Sequence, residues 1–254
     1  MWPLGQGPTR TGWLDEYALD WTAEGDLSPS AGEITTSDGV GWTVDNDGND
    51  LSGVAVVDGL GLRLSPDSAT DLDTATLTAP QIRVPVKELI PSLGASDVVR
   101  VVARISTLSL SADYQGVYLG WATDNGLGAA GCAGLELRWG HDGAAQVQPT
   151  LWDSGTRQSP APVASVASLR VLALRIAALH TASFLWSDNA AAYANPGLLT
   201  EAGRAGIGFG PGNSASMAFD LETVALVFGA LRNGGAALGP VYLERLRVQR
   251  LDVP

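Results

Sequence analysis

The segment SLRVLALRIAAL, Ser168 to Leu179, decides the fold. Its leucines, alanines and arginines are good helix formers, so composition alone favours a helix. Their order favours a strand: Leu172, Leu174 and Ile176 alternate with Ala173 and Arg175. A period of two sends one set toward a core and the other away from it. A second segment, FDLETVALVFGALRNGG (219–235), poses the same choice. Asp220 could cap a helix and the glycines could stop it, yet the run TVALVF is β-branched and aromatic. Both segments are read as strands, which makes the chain all-β.

The same alternation runs through the chain from about residue 36. GLGLRLS sets Leu60, Leu62 and Leu64 against Arg63, and DVVRVVARI sets Val99, Val101, Ala103 and Ile105 against Arg100 and Arg104. QGVYLGWAT groups Val117, Leu119 and Trp121, with Tyr118 across, and GLELRWG sets Leu135, Leu137 and Trp139 against Glu136 and Arg138. VYLERLRVQR places Tyr242, Leu246 and Val248 opposite Arg245, Arg247 and Gln249. Turn signals separate the runs: DG at 58–59, DNG at 124–126, HDG at 141–143 and NGG at 233–235. Such strands, spaced by turns, pack as two antiparallel sheets face to face. One sandwich of about 12–14 strands fills 254 residues. Residues 1–35, with Trp2, Trp13 and Trp21 among Gly, Pro and acids, read as an N-terminal arm, and 36–254 as the sandwich. The arm's tryptophans need cover, from the domain itself or from a neighbouring subunit.

Several segments in order resemble the concanavalin A-like, laminin-G-like jelly roll. They are VVDGLGLRLS, ATLTAPQIRVPV, DVVRVVARIS, YQGVYLGWATDNG and GLELRWGHDG, with AGIGFGPG, FDLETVALVFG and VYLERLRVQRL as closing strands. The resemblance covers about residues 36–252. It implies the accessory modules of bacteriophage virion proteins or secreted glycan binders. The start, MWPLGQGPTR, lacks the basic and apolar regions of a secretory signal, and no apolar run of about 18 residues spans a membrane. Arginine outnumbers lysine 14 to one, as in proteins from GC-rich genomes. The expected function is a non-enzymatic structural protein of a virus particle, a phage capsid decoration or tail component at the particle surface. Its expected partners are other virion proteins, further copies of itself, and host-surface glycan. The alternative is a carbohydrate-binding adhesin, and after it a polysaccharide-cleaving enzyme.

The candidate chemistry is sparse. Glucanases of the resembled fold carry a strand with carboxylates at every second position, whereas here Glu136 and Glu244 each stand alone. His141 and His180 sit in turn-like contexts with no nucleophile elbow, and the one cysteine, Cys132, excludes a disulfide framework. No phosphate-cradling glycine loop precedes a helix. For glycan, Tyr114, Tyr118 and Trp152 with Gln148 form the expected platform; covering the second sheet or a subunit contact is the competing use of these aromatics.

Charge is segregated. Residues 15–73 hold 14 acids and one base, a net of −13; residues 1–14 give +1, and 74–254 hold 13 acids and 13 bases. Such a field disfavours nucleic acid and anionic membranes and favours cations or a basic surface. WTVDNDGNDLSG (42–53) looks like a calcium loop, but its glycine falls fourth from Asp45, too early for an EF-hand. The expectation is a hairpin turn. Irregular calcium sites remain open at Asp45, Asp47 and Asp50, or at Asp67, Asp71 and Asp73; no other cofactor is expected. Arg245, Arg247 and Arg250 on the last strand are expected to meet the acidic section of a neighbouring subunit.

Overall fold

The computed structural model describes residues 12–45, 53–65, 80–94, 97–109, 115–123, 134–139, 146–153, 156–158, 164–166, 168–177, 181–206, 224–232 and 240–252. These build two antiparallel sheets. Sheet I contains β1 (Gly12–Asp20), β4 (Val54–Val57), β5 (Gly61–Leu64), β7 (Val99–Ser109), β13 (Ser168–Ala177), β14 (Thr181–Ser187), β15 (Thr200–Gly206) and β17 (Val241–Asp252). Sheet II contains β2 (Glu33–Thr35), β3 (Gly41–Asp45), β6 (Gln81–Pro85), β8 (Gln115–Thr123), β9 (Gly134–Trp139), β10 (Gln146–Asp153), β11 (Thr156–Gln158), β12 (Ala164–Ser165) and β16 (Val224–Arg232). A single helical turn, α1 (Val86–Leu89), follows β6.

Sheet I runs β15-β14-β13-β7-β17-β5-β4, and sheet II runs β11-β10-β9-β8-β16-β6-β3-β2, with β12 beside β10. Both ambiguous segments are strands. In β13, Leu172, Leu174 and Ile176 join the core, while Val171 and Ala173 face the other way. β16 lies between β6 and β8 at the middle of sheet II. Tertiary pairing on both edges overrides helix propensity, which is a weak local preference.

The core between the sheets is filled by the alternating positions, with Val99, Val101, Ala103 and Ile105 meeting Val117, Leu119 and Trp121 across it. Leu62 and Leu64 are buried, but Leu60 lies in the Asp58–Gly59 corner and is half exposed. Gly59 and Gly61 both have positive φ there, which favours glycine.

Three expectations need correction. From Gly12 onward the expected arm is part of the sandwich: β1 pairs with β17 along eight registered positions, and Trp21 is fully buried against Trp42, 5.3 Å between ring centres. A bulge between Asp15 and Tyr17 breaks the alternation that would have exposed this strand to inspection. The last strand also carries a bulge, between Leu243 and Arg245. It shifts the parity, so Leu243, not Tyr242, joins Leu246 and Val248 in the core. Finally, WTVDNDGNDLSG is not a hairpin: β3 belongs to sheet II and β4 to sheet I, so the acidic segment crosses between sheets. Its residues 46–52 lie outside the described residues.

Candidate functional site

Register places the expected platform on the outer face of sheet II. Tyr118 and Gln148 flank Arg138 on β8, β9 and β10, and Trp152 lies opposite Gly134. Tyr118 and Gln148 thus share a face; Tyr114 and the side chain of Trp152 lie outside what is described. Tyr118 cannot serve as an open stacking surface, because it is fully buried. Its neighbour in register, Gly229, has no side chain, so the ring lies across that position and the hydroxyl donates to Gln81 Oε1 at 3.0 Å. Gln148 is half-buried. Glu136 is flanked in register by Gly120 and Thr150, with Gly134 and Arg138 beside it on the same side of its own strand.

The calcium candidates meet the structure at one point. Asp45 Oδ2 accepts from Arg83 Nε at 2.8 Å, so its carboxylate is already paired within sheet II. Asp47, Asp50, Asp67, Asp71 and Asp73 lie outside the described residues, as do Cys132, His141, His180 and Trp2. Among the described residues, no three His, Cys, Asp or Glu side chains gather as a metal set would require.

The arginines of the last strand have carboxylates close at hand. They pair within the chain, because β1 brings its acids alongside β17. Arg245 bonds Asp20 at 2.9 Å, Arg250 bonds Glu16 at 2.7 Å, and Arg247 approaches Asp15 at 3.5 Å. Glu244, lifted onto the outer face by its bulge, takes Arg104 at 2.6 Å and lies 3.6 Å from Arg170. The acids that meet these arginines here belong to the chain's own first strand.

One group on the outer face of sheet I is left short of carboxylates. Arg175 stands directly opposite Arg100, and Arg100 stands opposite Gln249. Like charges in register repel. Arg100 donates through Nε and Nη2 to the neutral Gln249 Oε1, at 2.9 and 2.6 Å. Arg175 has no carboxylate partner among the described residues, and its Nε and that of Arg247 make no hydrogen bond. Arg247 donates to the Tyr193 carbonyl and lies 4.9 Å from that ring. Burial, then the charges of Arg247 and Arg175, lower the Arg100 pKa to about 10. Trp13 covers one side, with Arg100 4.1 Å and Arg175 5.6 Å from its ring centre. Tyr193 comes from the connection between β14 and β15, whose Ala192, Tyr193 and Leu199 pack on Val102, Val171 and Ala173. Among the described residues, Asp15 is the carboxylate that reaches Arg247, and its charge also acts on Arg100. Sequence reading had turned Arg100 and Arg175 outward. It could not bring them together, because their pairing spans 75 positions of the chain.

No protein-family model and no curated protein sequence matches the chain. Solved structures do. The chain is similar to the CBM2 module of the evolved Dit of Lactobacillus casei BL23 phage J-1, with 12% identity, a TM-score of 0.52, and coverage of 97% of this chain and 99% of that one. It is similar to the endo-β-1,3-glucanase of Pyrococcus furiosus at 12% identity and a TM-score of 0.54, covering 96% and 97%. It is also similar to the xyloglucan-locus GH43B of Bacteroides ovatus at 13% identity and a TM-score of 0.52, covering 91% of this chain and 38% of that one. The chain spans about two fifths of the length of the GH43 proteins it matches, 38% and 40%. Likeness at this identity shows the fold: an antiparallel two-sheet sandwich of the concanavalin A-like, jelly-roll kind. No helix of the described residues is long and apolar enough to cross a membrane.

Proposed function

We propose that this chain is a non-enzymatic structural protein of a virus particle, a phage capsid decoration or tail component, whose lectin-like sandwich engages carbohydrate at the host surface. The observation that carries the non-enzymatic reading is the setting of Glu136. Glycoside hydrolysis needs two carboxylates about 5–10 Å apart. The positions around Glu136 on sheet II are Gly120, Thr150, Gly134 and Arg138, none of them acidic. The carbohydrate part of the reading is supported by likeness in fold to a CBM2 module. The particle reading is supported by the end-to-end match to a module of a phage Dit protein. Partners in this reading are other virion proteins and further copies of the chain.

A carbohydrate-binding adhesin outside any particle is the second reading, and uses the same chemistry. Mass spectrometry of purified particles separates the two: the chain is expected among the particle proteins, and its absence there removes the virion role. A reducing-sugar assay on β-glucans and xylans addresses the enzymatic reading, with no release expected. Sustained turnover would overturn the non-enzymatic assignment.

A further inference from the structure

We propose that the outer face of sheet I binds the anionic group of an acidic saccharide, held by Arg100, Arg175 and Arg247 between Trp13 and Tyr193. The inference rests on the carbohydrate-binding reading and moves it from sheet II to the opposite side of the molecule.

Charge balance makes the first argument. Two other arginines of this face have carboxylates: Arg104 has Glu244 and Arg245 has Asp20. Arg100 lies between the charges of Arg175 and Arg247, and among the described residues the carboxylate in reach is Asp15, 3.5 Å from Arg247. A guanidinium offers five donors in a planar fork that matches a carboxylate or sulfate. Among the described residues the buried Nε of Arg175 has no hydrogen-bond acceptor, and that of Arg247 has only the long 3.5 Å approach to Asp15 Oδ1. Donors in this condition are costly unless a ligand completes them. An incoming oxyanion would supply both the missing acceptors and the missing negative charge. It would also return Arg100 toward its ordinary ionisation, since part of its lowered pKa comes from the two neighbouring cations.

The second argument is the shape of the frame. Trp13 and Tyr193 stand over Arg100 and Arg247, so the charged centre is walled by aromatic rings. Such rings suit a carbon skeleton that carries the charge, as a sugar ring does, better than a free inorganic ion. Trp13, Arg100 and Arg175 are all half-buried, so the group reaches solvent without being dispersed in it. The frame is also rigid: Trp13 is held by the β1–β17 pairing, and Tyr193 by its packing on sheet I.

The test is isothermal titration of the full chain with three probes: tetragalacturonate, a sulfated tetrasaccharide and a neutral tetrasaccharide. One of the acidic probes is expected to bind, and which one does names the anionic group. Binding is expected to weaken at least tenfold in Arg175→Gln and in Arg100→Gln, and to fall with added salt. Arg175→Lys, which keeps the charge and loses the fork, should weaken it by less. Circular dichroism checks that each variant is folded; should the glutamine variants fail, the lysine variant and the salt dependence of the wild type carry the test. No binding of either acidic probe overturns the proposal, and so does binding of inorganic sulfate alone. Equal binding of the neutral probe, untouched by the arginine variants, also overturns it while leaving the carbohydrate-binding reading intact. A glycan array without any binder would remove that reading as well.

Discussion

Gly229→Ala should destabilise the protein strongly, and only because Tyr118 is present. A Cβ built at position 229 would lie 2.6 Å from Tyr118 Cε1 and closer still to Cζ and the hydroxyl oxygen. Carbon atoms in contact sit about 3.5–4.0 Å apart, so the ring must move by roughly 1 Å. That motion breaks the 3.0 Å bond to Gln81 Oε1, at a fully buried site. Overpacking costs about 1–3 kcal/mol, and a buried hydrogen bond left open costs about 1–3 kcal/mol. Replacing glycine in a strand returns about 0.5–1 kcal/mol. The net is about 3 kcal/mol, or a fall in Tm of roughly 6–12 °C for a domain of this size. In a Tyr118→Ala background, itself down by about 3–5 kcal/mol, the same substitution meets open space and should be neutral or mildly stabilising. Equilibrium unfolding in urea of the four proteins gives the cycle. Equal effects of Gly229→Ala in both backgrounds would refute the placement of the Tyr118 ring.

The other expectations are smaller or differently directed. Trp21→Ala should cost about 3–5 kcal/mol, because a fully buried indole packed on Trp42 is removed; a urea midpoint near that of the wild type would contradict its burial. Arg245→Ala should cost no more than about 1 kcal/mol, since both it and Asp20 are well exposed. The triple change Arg245→Ala, Arg247→Ala, Arg250→Ala tests whether these residues also hold subunits together: light scattering should find the mass unchanged, and a fall in mass would restore the contact between copies. At Asp38, burial pulls the carboxyl up, but hydrogen bonds from the Thr36 hydroxyl (2.6 Å) and the Val40 amide (3.1 Å) outweigh it and hold the pKa low. A carboxyl depressed in the folded state contributes stability above its unfolded pKa, about 3.9, and loses it as pH falls through the folded value. Asp38→Asn should therefore flatten the acid limb of the stability curve below about pH 4; an unchanged limb would assign that limb to other carboxylates.

The sheets were legible in the sequence because both faces of most strands differ in chemistry. Val99 to Ile105 and Val117 to Trp121 read correctly from period two alone. Errors arose where a bulge reset the period, at Asp15–Tyr17 and at Leu243–Arg245, since one extra residue reverses every later side chain. The site was less legible for a different reason. Tyr118 was rightly turned away from the inner core, but whether an outward residue stays open depends on what lies over it. Gly229, more than a hundred positions away, makes room for its ring. Likewise Arg100 and Arg175 are ordinary outward charges in sequence, and only the β7–β13 register makes them a pair.

The charge segregation that first suggested a partner has a nearer explanation. Asp15, Glu16 and Asp20 open the acidic block, and all three meet arginines of the last strand. Electrostatic complementarity between chain ends fixes the register of a strand whose alternation is otherwise broken. Pairing each acid of β1 with one arginine of β17 would leave no charge over, yet β7 adds Arg100 near Asp15 and β13 adds Arg175 opposite Arg100, and neither strand carries an acid. The β7–β13 register sets these two cations opposite each other, and their repulsion costs stability. The pairings that close the chain thus account for the arginines of β17, while the surplus beside them is the charge that the proposed anion would neutralise.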